Sequence, residues 1–260
     1  MEQLQVIKIG GNIIDNEKAL ADFVQKFSAV PGKKILVHGG GKLATRLAEQ
    51  AGIPQQMVDG RRITDAETLK IVTMVYAGYI NKSIVAALQA RSCNAVGLCG
   101  ADGNIMHAHK RENAAHDYGY VGDVDEVNAP ELISLLAKHD VLVIAPITHD
   151  GHGQLLNTNA DTIAQELAQA LSQSYEIQLI YCFEKPGVLL DVTDDDSCID
   201  CINQKIFKQL KKEGVIADGM LPKLDNAFRA LDKGVAAVTI GHAAQLDQLI
   251  SRESGTTIVL

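Results

Sequence analysis

No block of lysine or arginine interrupts this 260-residue chain, whose net charge is -8 and whose isoelectric point is about 5.5. An acidic balance of this kind makes nucleic acid and anionic membrane surfaces poor candidates as main partners, and small molecules fit better. No stretch approaches the ~18 to 20 consecutive apolar residues of a bilayer span, and the first ten residues carry an acid and no long apolar stretch. A cytoplasmic location is therefore expected. Cysteine is scarce and odd in number: Cys93, Cys99, Cys182, Cys198 and Cys201 suit a reducing compartment better than a disulfide framework. Cys198 and Cys201 form a single CxxC with no second pair, so a solvated loop is expected there in place of zinc or redox chemistry. Repeats of fixed period and low-complexity tracts are also missing.

What remains is an alternation. Hydrophobic residues make up 47% of the chain, enough for one large α/β unit or two small lobes sharing a sheet. LQVIKI, EKALADFVQKFSAV, KKILVH and KLATRLAEQAG read β-α-β-α. The pattern returns with CNAVGLC, PELISLLAKH, DVLVIAPI, DTIAQELAQALS and EIQLIYC, then with NQKIFKQLKKEG, LDNAFRALDKG, VAAVTIG, AAQLDQLIS and TTIVL. Near-continuous apolar strands between helices predict an α/β fold: a three-layer αβα sandwich around a mainly parallel sheet. Ligands of such sheets sit beyond the carboxyl ends of the strands. The polar SQS of Ser172 to Ser174 follows a helix and precedes a strand, which puts a lobe boundary there and divides the chain into 1–173 and 174–260. Two stretches break the alternation. MVDGRRIT carries Asp59-Gly60, a hairpin-turn signal that would project Arg61 and Arg62 at the edge of the sheet. Ala101 to Asp125 reads as a further hairpin or loop, with His107 and His109 as exposed strand residues and no metal site; His149 and His152 read the same way.

Two apolar runs end in glycines beside a lysine, a pattern that suits either an anion-binding turn or a tight turn whose lysine reaches solvent. Lys8-Ile9-Gly10-Gly11 follows a strand, so its backbone amides can form a nest to which the lysine adds a full charge. His38-Gly39-Gly40-Gly41-Lys42 is the second such turn. It is not a P-loop, because Leu36 and Leu43 stand where Gly and Ser/Thr are needed. Gly39 to Ala44 satisfies a dinucleotide fingerprint only if Ala replaces its third Gly, with Asp59 as the acid downstream, which keeps a dehydrogenase reading formally alive. In NTNAD, Asn159 suits an N-cap with Asp161 in the first helical turn, leaving Asn157 and the acid free for other work. Lys223 lies in DGMLPK, a breaker-rich loop before the helix LDNAFRAL.

Taken together, KIGG, HGGGK, DGRRIT, NTNAD and DGMLPK, with Asn81-Lys82 and the PGVL of Pro186 to Leu189, occur in the order and approximate spacing of the amino acid kinase family, which the chain resembles from Val6 to Leu260. Within it, the arginine context and NTNAD resemble the branch that phosphorylates the γ-carboxylate of an N-acylated glutamate, a step of arginine biosynthesis. The resemblance implies that 1–173 holds the acyl amino acid and dimerises, while 174–260 holds ATP with its Mg²⁺. It implies that Lys8 and Lys223 contact the transferring phosphoryl group, that Asp161 holds the two lysines, and that Gly10, Gly11, Gly40 and Gly41 supply backbone amides. Arg62 and Asn157 match the positions that bind the substrate's α-carboxylate. The nucleotide positions fall at Glu184, Lys185, Pro186, Gly187, Val188 and Leu189 and at Val215, Ile216 and Ala217. There the chain departs from its relatives: their S/T-D-V-x-G run is replaced by Phe183-Glu184-Lys185-Pro186-Gly187. Arginine feedback is not expected, since arginine-inhibited relatives carry an extra helix before the first strand. Acetyl is the family's usual acyl group, with succinyl or another left open. Carbamate, aspartate, glutamate 5- and UMP kinases share the same lysine and glycine logic, whereas a non-catalytic amino acid sensor would not need both lysines and the aspartate.

Overall fold

The structure, a computed structural model, describes residues 1–58, 61–112, 115–216 and 220–260. The chain begins β1 (Glu2–Ile9), α1 (Gly11–Ile14), α2 (Glu17–Ala29), β2 (Lys33–His38), α3 (Gly41–Gln50) and the short pair β3 (Met57–Val58) and β4 (Arg61–Arg62). Next come α4 (Ala66–Thr73), a π-helical stretch (Met74–Ile80) and α5 (Asn81–Gln89), followed by β5 (Ala95–Leu98), β6 (Met106–Lys110) and β7 (Gly122–Val127). Helix α6 (Ala129–Lys138) leads to β8 (Val141–Ile144), β9 (Ile147–His149), β10 (Leu155–Asn157) and α7 (Ala160–Leu171). The remainder is β11 (Tyr175–Phe183), β12 (Cys201–Ile202), α8 (Gln204–Glu213), α9 (Leu221–Asp232), β13 (Ala237–His242), α10 (Leu246–Ser251) and β14 (Thr256–Ile258).

Eight strands form the main sheet in the order β12-β14-β13-β11-β1-β2-β8-β5, with β13 and β14 its antiparallel pair. The mainly parallel α/β sheet expected from the alternation is present, with helices on both faces. The boundary expected at 173 falls between α7 and β11, and β11 lies directly beside β1 in the same sheet. A second sheet, β10-β9-β6-β7, takes up the polar stretch that interrupts the alternation, including the expected hairpin of β6 and β7.

Side-chain alternation along β1 decides which layer each residue joins. Leu4 and Val6 pack in one hydrophobic cluster with α7 and α9, whereas Ile7 and Ile9 pack in the other with α2, α5 and α10. These four side chains are fully buried, which contributes roughly 6 to 12 kcal/mol of gross transfer free energy against the entropy of ordering the strand. By the same period Lys8 belongs to the face of α7. Asparagine caps fix several helix starts: Asn16 accepts from the Ala19 amide, Asn128 from Glu131 and Asn159 from both Asp161 and Thr162.

No uninterrupted apolar run reaches the length of a bilayer span, yet the helix over Ala66–Gln89 has 24 residues and is long and apolar enough to cross a membrane by length and overall composition. Its apolarity has a packing reason: Leu69, Val72, Val75, Tyr76, Ile80, Ile84 and Leu88 line one buried side of it. Polar residues interrupt the run often enough to hide it from a search for uninterrupted apolar sequence.

Candidate active site

The two glycine turns, separated by a helix in the chain, face each other across the carboxyl ends of β1 and β2. A methyl group built on Gly39 would lie 3.8 Å from the Gly11 amide nitrogen, and one built on Gly11 would lie 3.9 Å from that of Gly41. Gly10 and Gly40 are the N-cap residues of α1 and α3, so both turns present helix N-termini, where unpaired amides favour negative charge. Gly40 has φ +144°, and a Cβ there would strike Ile80 Cδ1 at 2.2 Å, so both its conformation and its neighbours demand glycine. The contact comes from the π-helical stretch, a distortion often found at functional sites. His38 holds the same turn from below: its Nδ1 is 2.9 Å from the Gly39 carbonyl oxygen and its Nε2 is 3.2 Å from Asn81 Nδ2. Burial pushes the imidazole down to about 4, so it is neutral near pH 7, donating from Nδ1 and accepting at Nε2.

Lys8, at the end of β1, and Lys223, in the first turn of α9, meet at one carboxylate. Lys8 Nζ is 2.6 Å from Asp161 Oδ1, and Lys223 Nζ donates to Oδ2 at 3.0 Å. Asp161 sits in the first turn of α7 with its side chain 13% exposed. Burial alone would raise its proton affinity, yet the two ammonium groups outweigh that and hold the carboxyl at about 2. Beneath it, Tyr181 of β11, paired in register with Lys8, donates to the Asp161 backbone carbonyl at 3.3 Å. The cluster carries two positive charges and one negative, leaving a net positive charge beside the glycine amides.

A cavity of about 220 Å³ opens next to these turns, lined by Gly39, Gly40, Gly41, Arg62, Asn157 and Arg111 among others. Pairing of β3 with β4 agrees with the expected hairpin, whose Asp59-Gly60 turn lies outside the described residues. The expected projection of Arg62 at a sheet edge is corrected: β3 and β4 form a separate ribbon, and Arg62 is only 8% exposed. Its guanidinium turns inward, with Nη2 donating to the Gly41 carbonyl at 2.9 Å and to Thr45 Oγ1 at 2.8 Å, and Nη1 donating to Gln55. Asn157 donates to Thr64 Oγ1 at 3.0 Å. Lys223, expected on the loop, is helical instead, and Asp218 and Gly219 lie outside the described residues.

Among the described residues, the expected nucleotide positions do not line this cavity. Glu184 accepts from Asn12 Nδ2 at 2.6 Å, which ties that loop to the first glycine turn, while Lys185 pairs with Asp195 at 2.8 Å. A Cβ on Gly187 would lie 2.5 Å from Cys198 Sγ, and the Val188 amide donates to Thr256 Oγ1 at 2.8 Å. Pro186 approaches β13 closely, its carbonyl oxygen 3.0 Å from where a Cβ on Gly241 would sit. Val188, Leu189 and Ile216 are buried, so their side chains serve the core. Val215 closes the end of α8, its amide donating to the Leu210 carbonyl at 3.1 Å. Ala217 lies outside the described residues. Among the described residues no group of three His, Cys, Asp or Glu could hold a metal ion, and all five cysteines are free. His109 is an exposed strand residue paired with Asp125 at 2.6 Å, as its polar surroundings imply.

Sequence reasoning missed Arg111, Asn12, Tyr181 and the role of His38 and Asn81. Arg111 stood in a stretch read as solvent-exposed, and nothing in its spacing tied it to a distant turn. For Tyr181, position opposite Lys8 was the available signal once the two strands were known to pair.

Comparison with known proteins places the chain in a family. The model of the amino acid kinase family matches residues 3–242. A Cytophaga hutchinsonii protein named acetylglutamate kinase is 55% identical over 262 residues, covering 100% of this chain and 99% of that relative. The N-acetylglutamate synthase of Neisseria gonorrhoeae, solved with coenzyme A and N-acetyl-glutamate, aligns with a TM-score of 0.83 at 22% identity over 100% of this chain and 59% of that one. A Giardia carbamate kinase aligns with a TM-score of 0.72 at 15% identity over 99% of this chain and 98% of that one. At these identities the two solved structures speak for the fold alone.

Proposed function

The chain belongs to the amino acid kinase family, and from that premise we propose that it is an ATP-dependent kinase that phosphorylates the γ-carboxylate of an N-acyl-L-glutamate to an acyl phosphate in arginine biosynthesis. N-acetyl-L-glutamate is the default substrate, after the name carried by its relatives. A γ-carboxylate with an ordinary pKa of ~4.3 is already ionised at neutral pH, so the site needs no general base. Its task is in-line positioning together with positive charge around the equatorial phosphoryl oxygens. The observation that carries this reading is the meeting of Lys8 and Lys223 on Asp161 beside two facing glycine turns.

In this scheme Lys8 reaches the phosphoryl group from the acceptor side and Lys223 from the nucleotide side. Asp161 holds both ammonium groups apart and oriented. Arg62 and Asn157 bind the α-carboxylate in the cavity, and the amides of Gly10, Gly11, Gly40 and Gly41 receive the anionic oxygens. Residues 1–173 then hold the acyl amino acid and 174–260 hold ATP near Glu184 to Leu189 and Val215 to Ala217. Mg²⁺ arrives on the ATP phosphates. The enzyme works in the cytoplasm as a homodimer; Met74 and Tyr79, exposed at 59% and 69% on the outer side of the long helix, supply an apolar surface for the partner.

A hydroxylamine trap tests the activity, with ATP-Mg²⁺ and a panel of N-acylglutamates, free glutamate, aspartate, carbamate and UMP. A hydroxamate formed from an N-acylglutamate supports the reading. ADP released with UMP alone, and no trapped hydroxamate, moves the protein to another branch of the family.

A further inference from the structure

The cavity beside the glycine turns holds one more guanidinium than the acids of an N-acetylglutamate can meet. Among the described residues its lining includes two guanidinium groups, those of Arg62 and Arg111, and no carboxylate. If the site binds an N-acylglutamate as proposed above, the γ-carboxylate points to the phosphoryl group and the α-carboxylate takes Arg62 with Asn157. Arg111 then faces the cavity with no anion of the glutamate left to meet it.

Arg111 is held in place, not loose. Its side chain is 13% exposed, and its Nε donates to both carboxylate oxygens of Asp123 at 3.0 Å, with Nη2 donating to the same group. It lies over the Tyr118 ring, 5.8 Å from the centroid. Asp123 thereby occupies the Nε and Nη2 edge of the guanidinium, while Nη1 donates to no described residue. The backbone fixes its distance from the α-carboxylate site. The Arg111 amide donates to the Val121 carbonyl at 2.7 Å, and Val121 bridges in turn to Asn157. Two strand spacings, on the order of 10 Å, therefore separate the Arg111 backbone from that of Asn157, within reach of an acyl chain and an arginine side chain together. Met57, Val121 and Pro146 give the same cavity an apolar wall suited to methylene groups.

We propose that Arg111 is a specificity residue, and that the acyl group of the substrate ends in its own carboxylate, as in N-succinyl-L-glutamate. A methyl-terminated acyl chain would leave the Nη1 donor without an acceptor in a closed site. A terminal carboxylate accepts from it at the edge of the guanidinium that Asp123 leaves open.

The test compares kcat/KM for N-acetyl-, N-butyryl- and N-succinyl-L-glutamate, where butyryl matches succinyl in length without its charge. The wild-type enzyme is expected to favour succinyl over both neutral acyl groups by about 30-fold or more. In Arg111→Gln that ratio should collapse toward one, chiefly through the KM for the succinyl substrate, and Arg111→Lys should restore part of it. Equal or better use of acetyl by the wild type overturns the proposal without need of any variant, as does an Arg111→Gln variant that loses all three substrates in equal measure. Absence of hydroxamate from every N-acylglutamate would instead overturn the kinase reading on which this one rests.

Discussion

Replacing Asp161 with asparagine tests the site at its centre, because the change removes one charge and almost no volume. The carboxylate is held between Lys8 Nζ at 2.6 Å and Lys223 Nζ at 3.0 Å, and its pKa falls from 3.8 to about 2 despite burial. At about 1.4 kcal/mol for each tenfold change in proton affinity, the ionised group contributes on the order of 2 to 3 kcal/mol to folding. The sign follows from the direction: a carboxylate with a depressed folded-state pKa stabilises fully above its unfolded value and loses that contribution as pH falls toward 2. Urea unfolding at pH 7 should therefore show Asp161→Asn less stable than wild type by about 2 to 3 kcal/mol, with the gap narrowing below pH 4. Turnover should fall with it. Without the anion, the two ammonium groups repel each other and separate, and loss of one aligned electrostatic contact typically costs on the order of 10² to 10³ in turnover. An asparagine variant with wild-type stability at pH 7 and near-normal turnover would refute the argument that this carboxylate organises the lysines.

Lys8→Ala is expected to cut turnover by about 10² to 10³ while changing the ATP KM far less, since the lysine acts on charge that moves during transfer; steady-state kinetics at saturating acceptor checks this. Arg62→Ala should act mainly on the acceptor KM, because a static carboxylate contact is made equally before and during reaction. A large drop in kcat at unchanged KM would contradict that role. His38 predicts a pH effect on stability: burial holds its folded-state pKa at about 4, below the ordinary 6.5, so stability is complete above pH 6.5 and declines as pH falls toward 4. Unfolding free energies from urea titrations at pH 7.5 and pH 5 should differ by about 2 kcal/mol from this residue, and His38→Gln should flatten the difference.

The location of the site follows from strand register more than from any single motif. β1 pairs with β2 on one side and β11 on the other, so Lys8 stands between Val37 and Tyr181. The apolar residues of β1 fill both layers, and their alternation turns Lys8 toward the helix that carries Asp161. Slipping that strand by one residue would point Lys8 at α2 and the opposite cluster. The hydrophobic core and the charge cluster are thus specified by the same eight residues.

From the sequence alone came the α/β alternation, nearly every helix and strand of the main sheet, the two anion-binding turns, and the candidates Lys8, Arg62, Asn157, Asp161 and Lys223. These were legible because strand and helix periods, glycine turns and N-caps are local, expressed within a few residues of chain. The long helix over Ala66–Gln89 was legible by the same rule and was missed, since its buried residues Leu69, Val72, Val75, Tyr76, Ile80, Ile84 and Leu88 recur at helical spacing. Only the tertiary structure decided that Lys8 and Lys223, more than two hundred residues apart, share one carboxylate. It also turned Arg62 inward, brought Arg111 to the cavity wall and buried Val188, Leu189 and Ile216 in the core. Each of those outcomes depends on pairing between distant strands and on which face of a layer is already filled, and no window of neighbouring residues carries that information.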